Sequence, residues 1–212
     1  KRQTNIRAGT GSFTLVGNST VGSGQGIEFN AYGSATNGTL ITAQGISITG
    51  YSGGSNNGVY LGNNFANITA TASGNLTITG TSTGNGNGIQ LGSSSSTPVN
   101  LTSASGNITL TGSSSTSSAI GYYAGNVNAT AGGSILVNGT STSWSGYYQP
   151  NPVNYSATSG NISVIAKGGG AYYALQYGGG NITTTTGNVL LQGNQTGTEI
   201  GVYFSGATNV TT

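Results

Sequence analysis

The sequence predicts an all-β fold, a parallel β-helix of about seven coils with three short strands in each. Three observations predict it. A strand motif recurs seven times. Its apolar positions alternate with polar ones at a period of two. Two further strand types then follow it in the same order in every repeat. Self-similarity at a period of 20–50 residues indicates a solenoid, and strict alternation indicates strands rather than helices.

The first strand opens on an apolar residue at Phe13, Ile46, Leu76, Ile108, Ile135, Ile162 and Val189. These positions lie 33, 30, 32, 27, 27 and 27 residues apart. A second apolar residue follows two places on, at Leu15, Ile48, Ile78, Leu110, Val137, Val164 and Leu191. A glycine comes two places later in six of the seven repeats, with Ala166 in the sixth. It reads as the residue that closes the strand, at a corner where positive φ favours glycine.

The second strand is a glycine followed by apolar–x–apolar, as at Ile27 and Phe29, Val59 and Leu61, Ile89 and Leu91, and Val202 and Phe204. In the fourth to sixth repeats its place is taken by aromatic pairs: Tyr122 with Tyr123, Tyr147 with Tyr148, and Tyr172 with Tyr173. The third strand begins its inward face at Ile41, Ile68, Val99, Val127, Val153, Ile182 and Val210. Pro98 and Pro152 precede two of these, a tolerated place at a strand start. The extra residues of the first three repeats read as longer loops.

A single coil of this kind buries too little apolar surface to offset the entropy of ordering its backbone. Stacked coils cover one another and pair in parallel ladders at about 4.8 Å, so seven make a rod about 34 Å long. An antiparallel sandwich would require short hairpin turns and gives no reason for three strand types in fixed order. Disorder, the ordinary reading of so much Gly, Ser, Thr and Asn, is opposed by the regular apolar placement.

Composition excludes several function classes. Of 212 residues, four are basic and two acidic, and His and Cys are absent. There is no basic patch for nucleic acid. No run reaches the 18 apolar residues of a membrane-spanning helix, so no membrane insertion is expected. The opening residues do not read as a signal peptide. The absence of cysteine suits export through an oxidising space. The chain begins and ends in mid-pattern without polar caps. Residues 1–212 therefore read as one β-helix segment of a longer repeat array, or as a unit that stacks end to end on other copies.

The repeated Gly-Asn-apolar-Thr-apolar-Thr-Gly unit with Ser/Thr/Gly-rich turns, as at Leu76–Gly80 and Ile108–Gly112, resembles the repeat regions of filamentous-haemagglutinin-like adhesins, the exoproteins of two-partner secretion. The resemblance covers the whole chain as repeat style and composition. It implies a right-handed parallel β-helix shaft, extracellular at the bacterial cell surface, serving cell adhesion and biofilm formation. It implies host or matrix glycans as partners. The coils here are longer than the family's usual coil of about 20 residues, and the family's secretion domain is not recognisable.

No catalytic residues, metal site or cofactor are expected. The two carboxylates, Glu28 and Glu199, fall on the first and seventh coils, about 29 Å apart at strand spacing. Paired glycosidase carboxylates stand about 5–9.5 Å apart, and metal sites need convergent acidic, His or Cys ligands. The structural or adhesive shaft is thus the leading reading.

A carbohydrate-binding solenoid is the alternative. Its candidate site is the aromatic stretch, where alternation sends one ring of each pair inward and one outward, leaving Tyr123, Trp144, Tyr148 and Tyr173 to bed a sugar. Ice binding by outward threonines such as Thr77, Thr79, Thr109 and Thr111 is a further alternative. That array is interrupted by Leu136, Asn138, Leu190 and Gln192. Thirteen Asn-x-Ser/Thr sequons occur. Those at strand corners read as side-chain ladders between coils. Asn18, Asn138 and Asn194 read as loop sequons open to N-glycosylation.

Overall fold

The structure, a computed structural model, describes residues 4–29, 38–62, 66–92, 98–116, 118–170 and 172–212. The cations Lys1 and Arg2 lie outside the described residues, as does most of the extra length of the first three coils, which separates the second strand from the third. Among the described residues there is no helix.

Three parallel sheets run the length of the molecule, with seven, seven and eight strands. The first sheet holds Phe13–Ser19, Ile46–Ser52, Leu76–Ser82, Ile108–Ser114, Ile135–Ser141, Ile162–Gly168 and Val189–Gln195. The second holds Ile27–Phe29, Val59–Leu61, Ile89–Leu91, Tyr122–Ala124, Tyr147–Gln149, Leu175–Tyr177 and Val202–Phe204. The third holds Thr4–Arg7, Thr39–Ala43, Ala66–Ala70, Val99–Ser103, Val127–Ala131, Val153–Ala157, Gly180–Thr184 and Thr208–Thr211. Coils are numbered here by the first-sheet strand that opens them.

The expected interior column is present. Phe13, Ile46, Leu76, Ile108, Ile135, Ile162 and Val189 are successive partners across the first sheet. The five central members are buried, and the two outer ones pack partly against them. Amide hydrogen bonds step from coil to coil, as from Ile108 N to Ser134 O (2.9 Å) and Ile135 N to Asn161 O (2.9 Å).

Three expectations about local structure are corrected. The motif glycine does not close the first strand; Gly80, for example, is the fifth of seven residues in Leu76–Ser82. Nor is its φ positive, since the positive-φ glycines are Gly9, Gly22, Gly92, Gly179 and Gly180. What selects glycine is space. A Cβ on Gly17, Gly50, Gly80, Gly112, Gly139 or Gly193 would overlap the carbonyl oxygen of the glycine that precedes the second strand of its own coil. Coil 6 carries alanine at both places, Ala166 and Ala174, and both are fully buried.

The third-sheet column is Ile6, Ile41, Ile68, Leu101, Ala129, Tyr155, Ile182 and Val210. Val99, Val127 and Val153 therefore stand two residues before the column assigned to them. A slip of two keeps the same face of a strand inward, so these valines are buried all the same. In coil 6, the second strand is Leu175–Tyr177 and not the Tyr172–Tyr173 pair, which lies in the turn before it.

In coil 4 the large Tyr122 is inward, and Ala124 and Ala129 are its small counterparts. Ile108→Asp would bury a carboxylate in the middle of the aliphatic column without a partner. The expected outcome is a loss of several kcal/mol in a denaturant titration, and a near-neutral result would contradict the interior placement of this residue.

Candidate binding site on the second sheet

The middle residue of each second-sheet strand points outward. The strand register aligns these residues in one row along the rod: Glu28, Tyr60, Gln90, Tyr123, Tyr148, Gln176 and Tyr203. Four phenols and two amides follow Glu28 there at strand spacing, with Tyr123 and Tyr148 adjacent. The Tyr123 and Tyr148 rings are 5.6 Å apart and tilted by 45°. Partial burial, with Tyr148 and Tyr60 beside it, pushes the Tyr123 phenol above its ordinary range.

Beside this row the turns of coils 5 and 6 carry Trp144, Tyr172 and Tyr173. Trp144 and Tyr172 are stacked, with ring centroids 3.6 Å apart and planes 18° from parallel. Tyr173 stacks on Tyr203 of the next coil at 4.3 Å. A buried serine and a half-buried glutamine hold these turns. Ser141 Oγ donates to Ala119 O (2.8 Å) and accepts from the Trp144 amide (3.0 Å). Gln195 Nε2 donates to the carbonyl oxygen of Tyr172. A Cβ on Gly169 or Gly170 would overlap the backbone of Thr142 or Ser143, so only glycine lets the two turns stack this closely.

Between these elements lies a groove of about 330 Å³, lined by Ser118, Ile120, Trp144, Ser145, Tyr148, Tyr172, Tyr173 and Gln176. Three residues expected from the sequence, Trp144, Tyr148 and Tyr173, meet there. The fourth, Tyr123, lies one coil away in the outward row and does not line the groove. The expected in–out alternation fails for Tyr172 and Tyr173: Tyr172 is 41% exposed and Tyr173 half-buried, because a turn and not a strand orients them. Sequence reasoning missed Gln176 and Ser145. Gln176 becomes visible once Leu175–Tyr177 is recognised as the apolar–x–apolar strand, whereas nothing local marks Ser145.

Behind the groove the core is aromatic as well. Tyr122, Tyr147 and Tyr177 stack inside the coil at 5.4 and 6.2 Å. The Tyr147 hydroxyl donates to Gln149 Oε1 (2.8 Å) and lies 3.1 Å from the Tyr155 hydroxyl. Gln149 Nε2 donates to Asn151 O (2.8 Å) and Gly179 O (2.5 Å). The Tyr122 hydroxyl interacts electrostatically with Tyr155 without forming a well-made hydrogen bond. Burial raises the pKa of all four phenols, pushing Tyr155 from 10.0 to about 12 against the opposing effect of its hydrogen bonds.

The asparagines divide into distinct ladders. On the outward face of the third sheet, Asn100, Asn128, Asn154, Asn181 and Asn209 each donate through Nδ2 to the Oδ1 of the asparagine one coil earlier, starting from Asn67, at 2.8–3.1 Å. These residues are within strands, not at corners. The corner set works differently: Asn75, Asn107 and Asn161 accept the next coil's backbone N–H at 2.7–2.8 Å.

Asn18, Asn138 and Asn194 are not loop residues. They lie within first-sheet strands, outward, with Asn18 and Asn194 exposed and Asn138 half-buried. The unbroken hydroxyl row is on the third sheet, at Thr42, Thr69, Thr102, Thr130, Ser156, Thr183 and Thr211, and not on the first. Glu28 and Glu199 stand in the first and seventh coils. No group of three or more His, Cys, Asp or Glu side chains converges among the described residues.

No family model matches this chain, and no curated protein or solved structure matches it either.

The tyrosine cluster sets an alkaline limit. A phenol whose pKa is raised by folding contributes stability in full below the unfolded value near 10.0, and that contribution is lost as pH rises through the folded value. Melting temperature is expected to hold up to about pH 10 and to fall steeply towards about pH 12. Circular dichroism melts alongside tyrosinate absorbance check this. Titration of all twelve tyrosines near pH 10 in the folded protein would contradict it.

Proposed function

We propose that this chain is a shaft segment of an extracellular bacterial surface adhesin or filament, structural first and adhesive second. The observation that carries this reading is the unbroken register of all three sheets. Each coil presents the next with an equivalent ladder, so the architecture extends by repetition and sets no length of its own. A rod of this kind holds whatever it bears at a distance from its anchor. The resemblance of the repeat unit to haemagglutinin-like adhesins supports the same reading, with the cell surface as location and host or matrix glycans as partners. The proposed shaft performs no catalysis, in keeping with carboxylates some six strand spacings apart.

Neighbouring repeats, or other copies, are the proposed partners at the coil ends. The inward columns end on half-buried Phe13, Leu15 and Ile6 at one side, and on Val189, Leu191 and the 51% exposed Val210 at the other. Ile6 and Val210 belong to the same column, so one copy's first coil fits the last coil of another in register. The terminal strand Thr208–Thr211 carries no charge or proline to blunt its edge.

The 212-residue segment is expected to associate head to tail with rising concentration, as read by light scattering. Val210→Lys is expected to reduce that association. A monomer at every concentration would remove end stacking. Antibodies against the segment should label intact cells without permeabilisation, and labelling only after lysis would overturn the surface assignment.

A further inference from the structure

We propose that the groove formed by Trp144, Ser145, Tyr148, Tyr172, Tyr173 and Gln176 is a binding site for an uncharged pyranose unit of a polysaccharide. This goes beyond the shaft reading, which requires no ligand at this place. If the site fails its test, the shaft reading stands.

Four observations converge on it. The lining is aromatic, and aromatic rings present flat apolar faces against which the C–H face of a sugar ring packs. The rings are held before any ligand arrives, because Trp144 is stacked on Tyr172 and Tyr173 on Tyr203. Little conformational entropy is therefore lost on binding.

The polar groups of the groove are amide, phenol and hydroxyl. Gln176 and Tyr148 are neighbours in the outward row and supply donors and acceptors at its edge. The fourth observation is Ser145. Its side chain is 1% exposed, it lines the groove, and its Oγ has no hydrogen-bond partner. A buried hydroxyl left unpaired is costly. A turn of the side chain would bring this hydroxyl to a sugar hydroxyl in the groove, as donor or acceptor.

Charge selects among glycans. None of the eight lining residues is Lys, Arg, His, Asp or Glu, so nothing there neutralises a sulfate or carboxylate. A neutral chain fits and an anionic one does not. The outward row continues past the groove through Tyr123 on one side and Tyr203 on the other. The chain therefore lies along the rod axis, one ring in the groove and its neighbours over these phenols. A larger groove of about 580 Å³, lined by residues that include Ser12, Phe13, Gln44, Asn75 and Thr77, has no such aromatic wall and no buried unpaired hydroxyl.

Trp144 is the chain's single tryptophan, so its fluorescence reports on this groove alone. The test titrates the intact segment with three soluble neutral polysaccharides, mixed-linkage β-glucan, galactomannan and α-mannan, and with heparin as the anionic probe. At least one neutral polymer is expected to shift the Trp144 emission saturably, with little dependence on salt. Tyr148→Ala is expected to weaken that binding roughly tenfold, and Ser145→Ala roughly threefold. Tyr60→Ala, in the same row but three coils away from Tyr148, is expected to leave it unchanged. Affinity gel electrophoresis repeats the comparison without relying on fluorescence, and circular dichroism establishes that each variant is folded. No saturable effect from any of the three neutral polymers overturns the proposal. So does tighter binding of heparin that salt abolishes, or an equal loss in Tyr60→Ala and Tyr148→Ala.

Discussion

Each coil depends on one close approach. The carbonyl of the residue that precedes the second strand occupies the space where a side chain would stand on the fifth residue of the first strand. The contact recurs between Gly17 and Gly26, Gly50 and Gly58, Gly80 and Gly88, Gly112 and Gly121, Gly139 and Gly146, and Gly193 and Gly201. It brings the backbones of the first and second strands of a coil close together. In coil 6, where both positions are alanine, Ala166 and Ala174 fill that space with methyl groups instead.

Once the cross-section is set, polar groups that carry no charge hold the coils in register. Inward serines at the end of the first strand donate to the corresponding turn of the preceding coil, as Ser52 to Gly24 O (3.0 Å) and Ser82 to Asn56 O (3.1 Å). Corner asparagines accept amides from the coil above, and a second asparagine row runs amide to amide along the third sheet. Each ladder recurs at the same step in successive coils, with Ser134 taking the place of a corner asparagine in coil 5. This explains how a chain only 3% charged satisfies its buried and turn backbone without ion pairs as the main device.

The aromatic residues break this uniformity. From coil 4 onward the second sheet takes tyrosine both inward and outward, and the adjoining turns take Trp144, Tyr172 and Tyr173. The inward rings belong to the core, where Tyr122, Tyr147 and Tyr177 stack on one another. The outward rings lie outside that core and contact one another across coils. Their concentration around a groove with an unpaired buried serine distinguishes this stretch from the rest of the rod.

Sequence alone determined the period, the three strand types, their order and the interior column from Phe13 to Val189, because alternation and recurrence are properties of the chain. It also placed Trp144, Tyr148 and Tyr173 among the candidates for a single site. What it left open is what depends on distance between coils. The two-residue slip at Val99, Val127 and Val153 was invisible, because either register buries the same face. The reason for the motif glycines lay in a backbone atom of another strand, so local φ rules pointed to the wrong cause. Tyr172 and Tyr173 resembled a strand pair, and only the pairing of Leu175–Tyr177 with its neighbours moved them into a turn. Ser145 carries no sequence mark at all, since a missing hydrogen-bond partner is a fact about every atom around a residue and not about its place in the chain.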